Sequence, residues 1–351
     1  IGIRKLRSWL LAVPLLLGAC SGEDVTDGLP QSNTPIDFDS GTPDTKAIAE
    51  YATDTDPVNI GVFAYLTRGN FDESTATPNC MYNQLVSRQT DGSWYYTPVK
   101  YWPNSQVTER ISFFAYAPYT DETGGNLSFQ GKETASGFPI LSYTVPQTES
   151  RQIDLLAAPP VMNRNSGNIS FILYHTLTKI NIYIKSKDDT TGKSVTAFSI
   201  TGMKSGILTY RTATTGNVKG WQWSYPQSGE LATFTADATN FPVSDTVAEE
   251  KKLLATFFLL PNATGSEFSI TYQYTEKDKN NNTTVQSIKM EHQAFPSTDN
   301  WLPGTSVGYT IGIARKAISV TPEDGAVSWE DDTATEIVTG TVTYPRTAKK
   351  C

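Results

Sequence analysis

The chain has 351 residues, with 36 acidic against 28 basic side chains and a net charge of −8. It carries no basic block of the kind that nucleic-acid phosphates require, so nucleic acid is excluded as a partner. Three cysteines and two histidines, with no C-x-x-C and no Cys/His cluster, give no basis for a zinc site or a disulfide framework.

The first predicted element is a secretory signal over residues 1–20. Arg4, Lys5 and Arg7 form a basic start, 9–17 (WLLAVPLLL) is a short apolar run, and Gly18-Ala19-Cys20 supplies small residues before a cysteine. The run is too short to span a bilayer, which takes about 20 apolar residues. Leu17-Gly18-Ala19-Cys20 looks like a bacterial lipobox, with Cys20 the lipidated residue of the mature chain. Residues 1–20 hold three basic groups and no acidic one, so the chain that remains carries −11. About 330 residues are then left, room for two ordinary domains. Residues 21–46 are rich in Ser, Thr, Pro, Asp and Gly, a composition that continues to about residue 56. It reads as a flexible tether.

Strand signals dominate from there. The segments 58–66 (VNIGVFAYL), 111–117 (ISFFAYA), 140–145 and 153–158 (IDLLAA) are short, apolar and rich in aromatic or β-branched residues. The same holds for 169–185 (ISFILYHTLTKINIYIK), 195–200, 253–260 (LLATFFLL), 268–274 (FSITYQY) and 307–313 (VGYTIGI). No long amphipathic helix interrupts them. Many short strands with Gly, Pro, Asn and Asp between them predict an all-β protein built of β-sandwiches. Pro159 and Pro160, followed by Asn163, Asn165, Ser166 and Gly167, predict a boundary. The expected domains are therefore 47–165 and 166–316, with 317–351 as a tail too polar to build a core of its own.

The residues offer little chemistry. His175 alternates with apolar neighbours inside the 169–185 run, and His292 stands without a second ligand, so both read as structural. No G-x-S-x-G, H-E-x-x-H or phosphate-cradling loop is present, and no cofactor or metal is implied. Glu330-Asp331-Asp332 reads as a solvated charge run. Trp94, Trp102, Trp221, Trp223 and Trp301 read as core or loop anchors before sugar platforms. Cys80 and Cys351 would be free to bridge in an oxidising compartment, but spacing alone does not bring their sulfurs together. The reading is of a protein that is not an enzyme.

A series of phrases then resembles the FimA/Mfa-like fimbrillins, subunits of Bacteroidetes type V fimbriae. They are Tyr101-Trp102-Pro103, the 111–118 stretch ISFFAYAP, 154–158 (DLLAA), 171–180 (FILYHTLTKI), 258–261 (FLLP) and 301–305 (WLPGT) leading into Tyr309-Thr310-Ile311. The resemblance runs through nearly the whole chain in the family's order. It implies two tandem β-sandwich domains of the transthyretin-like, Greek-key type. It also implies a lipoprotein precursor carried to the outer membrane and displayed on the cell surface in a fimbrium. Its partners would be other fimbrial subunits, the outer membrane through the lipid, and host or bacterial surface ligands. In such proteins a trypsin-like protease removes an amino-terminal segment, and a strand from another subunit fills the groove left behind. Lys46 is the expected processing site, since it lies between the tether and the first strand. The tail is the expected donor region, with Val338, Val342 and Tyr344 on the face to be buried. The alternative is a non-polymerising surface lipoprotein that binds glycans through exposed aromatics.

Overall fold

A computed structural model describes residues 31–39, 59–104, 108–226, 229–299, 301–323 and 327–328. The protein is all-β, as the sequence predicts. Among the described residues the regular structure consists of strands and one 3₁₀ turn, Glu149–Arg151, with no α-helix.

The amino-terminal part is organised by two long strands, Asn59–Arg68 and Glu109–Ala117, paired antiparallel from Gly61 opposite Tyr116 to Arg68 opposite Glu109. Met81–Arg88 and Trp94–Tyr95 extend the sheet on one side; Leu156–Ala157 and Tyr174–His175 extend it on the other. Both long strands are buried on both faces. That explains why they read as near-continuous apolar runs instead of alternating ones. On one face Phe63, Tyr65, Phe114 and Tyr116 meet the sheet formed by Leu127–Phe129, Ile140–Thr144, Ser205–Tyr210 and Trp221–Ser224. On the other face Ile60, Val62, Ala64, Phe113 and Ala115 form a separate, smaller core. Gly61 is fixed by packing: a Cβ there would fall 2.1 Å from the Tyr116 ring.

The carboxy-terminal part pairs two sheets face to face. One has the order Lys252–Leu259, Thr178–Ser186, Thr305–Ala314, Ala317–Pro322, with Thr178–Ser186 parallel to Thr305–Ala314. The other has the order Leu231–Thr235, Ser194–Met203, Glu267–Lys277, Thr283–Ala294. Ile180, Ile182, Ile184 and Ile311 from the first sheet interleave with Phe198, Ile200, Ile270 and Tyr272 from the second. Alternate residues of each strand point inward, as a two-sheet core requires.

Two differences from the sequence reading follow from where strands pair. The 169–185 run is not one strand but three, Ile169–Ser170, Tyr174–His175 and Thr178–Ser186, each in a different sheet. Its apolar residues serve several cores in turn, so no single period describes it. Second, chain pairing crosses the Pro-rich 159–168 stretch. Tyr174–His175 completes the amino-terminal sheet, and Ser205–Tyr210 pairs with Ile140–Thr144 from Ser205 opposite Thr144 to Thr209 opposite Ile140. The larger set of buried side chains runs without a break from Phe63 to Ile313.

Candidate assembly groove

The smaller amino-terminal core is closed by a segment that precedes the long strands. Residues 31–39, placed by composition in the tether, form two short strands. Gln31–Pro35 pairs antiparallel with Tyr101–Pro103, and Phe38–Asp39 pairs parallel with Ile169–Ser170. Between them the Ile36 N–H donates to the Lys100 carbonyl at 2.8 Å, and the Ile169 N–H donates to the Asp37 carbonyl at 2.9 Å. The Tyr96 hydroxyl donates to the Ile36 carbonyl at 2.8 Å.

Side chains alternate along this segment. Ile36 is fully buried, Asp37 is exposed and Phe38 is buried. The Phe38 ring lies edge-on to Tyr96 at 5.3 Å and to Phe113 at 6.3 Å, and stacks on Phe171 at 6.0 Å. Trp102, Ile60, Val62 and Leu173 complete the same core. Ile36 and Phe38 thus seal one face of the central sheet. Each contributes on the order of 1.5–3 kcal/mol through apolar burial. Without the segment, Tyr101–Pro103 and Ile169–Ser170 lose their ladder partners, and a trough floored by Phe113 opens to water. Such a site recognises an extended strand: backbone groups on the rims for affinity, two alternate apolar pockets for specificity. The signal in the sequence was Ile36-Asp37-Phe38 within an otherwise polar stretch, too short to stand out by period alone.

Cys20, Lys46, Val338, Val342 and Tyr344 lie outside the described residues, as do Cys351, Trp329 and the 330–332 acidic run. Part of the tail is described. Ala317–Pro322 forms a hairpin with Thr305–Ala314, from Ala314 opposite Ala317 to Tyr309 opposite Pro322, and Ile318 and Val320 pack on the main core. Val327–Ser328 pairs with Thr305 and Ser306. Those residues are an ordinary edge of their own chain.

The remaining sequence candidates fall in structural settings. His175 is buried, with Nδ1 2.7 Å from the Asp154 carboxylate, and the neighbouring Thr176 hydroxyl donates to the Leu155 carbonyl at 2.6 Å. His292 is exposed, in a left-handed backbone conformation at the irregularity between Glu267–Lys277 and Thr283–Ala294. The hydrogen bond and charge of Glu267 raise its pKa. Trp102, Trp221 and Trp301 are buried, and Trp223 is half-buried, its indole N–H donating to the Thr176 carbonyl at 2.7 Å. Cys80 packs against the smaller core, where burial raises its thiol pKa to about 11. Among the described residues, no group of three His, Cys, Asp or Glu side chains could hold a metal ion.

The protein is thus a many-stranded β protein whose smaller core is closed by a segment that precedes its long strands. A sequence profile of the fimbrillin-like family matches residues 45–331, and the chain belongs to that family. It is 26% identical to fimbrium subunit Fim1C of Phocaeicola vulgatus, an alignment covering 95% of this chain and 99% of that protein. Its fold resembles the crystal structure of a fimbrial protein from Bacteroides vulgatus, with a TM-score of 0.65 at 21% identity, over 85% of this chain and 100% of the other.

Proposed function

We propose that the chain is a fimbrial subunit or adhesin of the cell surface that polymerises by strand exchange. The observation that carries the reading is the insertion of Ile36 and Phe38 into the core of the amino-terminal sheet. Cleavage after Lys46 severs residues 31–39 from the strands they seal and lets them leave. A strand of another subunit then occupies the groove, and this chain's 329–351 stretch, with Val338, Val342 and Tyr344 inward, fills the groove of the next. The contact is heterologous and does not close on itself, so it propagates as a filament. Lipidation of Cys20 holds the precursor at the outer membrane until processing. Family membership and the likeness to a fimbrium subunit over most of both chains support this reading.

In this scheme the body consists of two tandem sandwich units, about 47–165 and 166–316, tied together by the strands that cross residue 165. Its role is mechanical and adhesive, and no catalytic step is assigned to it.

The test is treatment of the purified full-length chain with a Lys/Arg-specific protease, followed by unboiled gel electrophoresis. The expected result is cleavage at Lys46 and a ladder of multimers. Complete cleavage at Lys46 that leaves only monomer would overturn the proposal. Mass spectrometry of the mature amino terminus should find acylated Cys20; an unmodified Ser21 start removes the anchoring step.

A further inference from the structure

The strand groove lies on one side of the amino-terminal sheet. A separate cavity of about 270 Å³ lies on the other side, beneath the 130–139 loop. Phe63, Tyr65, Tyr82 and Phe129 form its aromatic wall, and Gln130 and Lys132 stand at its polar rim. We propose that this cavity is a binding site for a single neutral sugar ring.

The wall is built from rings set edge to face. Phe63 lies 5.4 Å from Tyr82 and 5.1 Å from Phe129, both near perpendicular, so ring faces and edges turn in several directions around one space. Tyr65 is held rigidly from behind by Phe71 at 5.4 Å and Phe114 at 5.3 Å. It is only 2% exposed and lines the cavity. A ligand hydroxyl bonded to the Tyr65 hydroxyl would contribute roughly 0.5–1.5 kcal/mol, the net value of one hydrogen bond. Tyr82 brings a second hydroxyl into the same lining.

The chemistry of the lining selects the ligand. A pyranose presents apolar C–H faces to aromatic rings and hydroxyls around its rim, and the cavity offers both counterparts. Burial first, then the charge of Tyr82, raises the Tyr65 pKa; burial first, then Glu122 and Glu133, raises that of Tyr82. Both hydroxyls therefore remain protonated donors at neutral pH. The two carboxylates near Tyr82 outnumber the Lys132 ammonium and disfavour an anion. The volume lies just below the roughly 300 Å³ at which pockets for drug-sized molecules begin. It suits one ring, not a chain of several. A purely apolar ligand would make no use of the Tyr65 and Tyr82 hydroxyls or of Gln130.

Saturation-transfer NMR on the unprocessed full-length chain tests this, with the methyl glycosides of glucose, galactose, mannose and N-acetylglucosamine as probes and indole as the apolar comparison. The expected result is transfer to at least one glycoside, with affinity reduced about tenfold in Tyr65→Phe, the loss of one well-made hydrogen bond. Tyr65→Phe keeps the ring and the packing behind it, and Tyr82→Ala at the partly exposed wall should abolish transfer. The proposal is overturned if no glycoside shows transfer, if indole alone does, or if both variants bind as well as the parent chain. Because the unprocessed chain is used, failure of strand exchange would not affect the outcome.

Discussion

At the scale of single residues, Lys193 is a charge held inside the fold. Its side chain is fully buried, with the ammonium donating to the Ser186 hydroxyl at 2.7 Å and to Asp188 Oδ1 at 3.0 Å, and also to the Asp188 carbonyl. Burial alone would raise the Asp188 pKa. The backbone N–H of Arg315, the Lys193 ammonium and Thr190 outweigh it and hold the carboxyl at about 2. A folded-state pKa below the unfolded value of about 3.9 stabilises the protein above that value, and the contribution is lost as pH falls toward the folded pKa. Asp188→Asn is expected to cost about 2 kcal/mol at neutral pH, the loss of a charge-assisted hydrogen bond beside a buried ammonium. The gap between variant and parent in urea unfolding should stay constant above pH 4 and narrow between pH 4 and about 2. A gap that does not change with pH would mean that the carboxylate charge is not what holds Lys193. Phe38 is the corresponding residue for the groove. Phe38→Ala should destabilise the unprocessed chain by about 3 kcal/mol, because three ring contacts are lost in a closed core. In the chain already cleaved at Lys46 and stripped of its leader, the same substitution has nothing left to act on.

At the scale of elements, the long strands were legible because their apolar residues pack on both faces. Asn59–Arg68 and Glu109–Ala117 are examples, and Glu267–Lys277 shows the plain two-residue alternation. Thr283–Ala294 was not legible. It is an edge strand, its inward positions are only half-buried, and seven of its twelve residues are exposed, so no apolar period marks it. In the stretch 153–158 only Leu156–Ala157 is a strand; Asp154, Leu155 and Ala158 are buried outside it, which composition cannot distinguish from pairing. The tail divides in the same way. Ala317–Pro322 has a weak alternation that does pack, while the stretch after 328 carries the alternation assigned to a donor. Truncation after residue 328 should leave the melting temperature of the chain unchanged and abolish multimer formation after processing. Truncation after residue 314 should also lower the melting temperature by several degrees, since Ile318 and Val320 leave the core and Thr305–Ala314 becomes a bare edge. Thermal unfolding and gels on the two truncations separate the roles; equal melting temperatures would remove Ala317–Pro322 from the body of the fold.

At the scale of the whole molecule, the groove and the tail should fit in one register. The segment that fills the groove presents Ile36, Asp37 and Phe38: aliphatic inward, polar outward, aromatic inward. The tail offers the same order in Val342, Thr343 and Tyr344. An extended strand places residues two apart on one face, so Val342 would take the pocket of Ile36 and Tyr344 that of Phe38 against Phe113, Tyr96 and Phe171. Gly340, two residues earlier on that face, would then fall beside the Tyr101–Pro103 rim. Processing should therefore create a binding site for the tail as a free peptide. A peptide of residues 336–346, added to the chain after cleavage at Lys46 and removal of the leader, should raise its melting temperature in a concentration-dependent way. Val342→Asp in the peptide places an unpaired carboxylate in an apolar pocket and should weaken binding by about a hundredfold or more. Ile337→Asp lies on the opposite face and should bind like the parent peptide. If the two substitutions exchange their effects, the strand enters with the other face inward. If the parent peptide raises the melting temperature of the unprocessed chain equally, it binds somewhere other than the groove that residues 31–39 occupy.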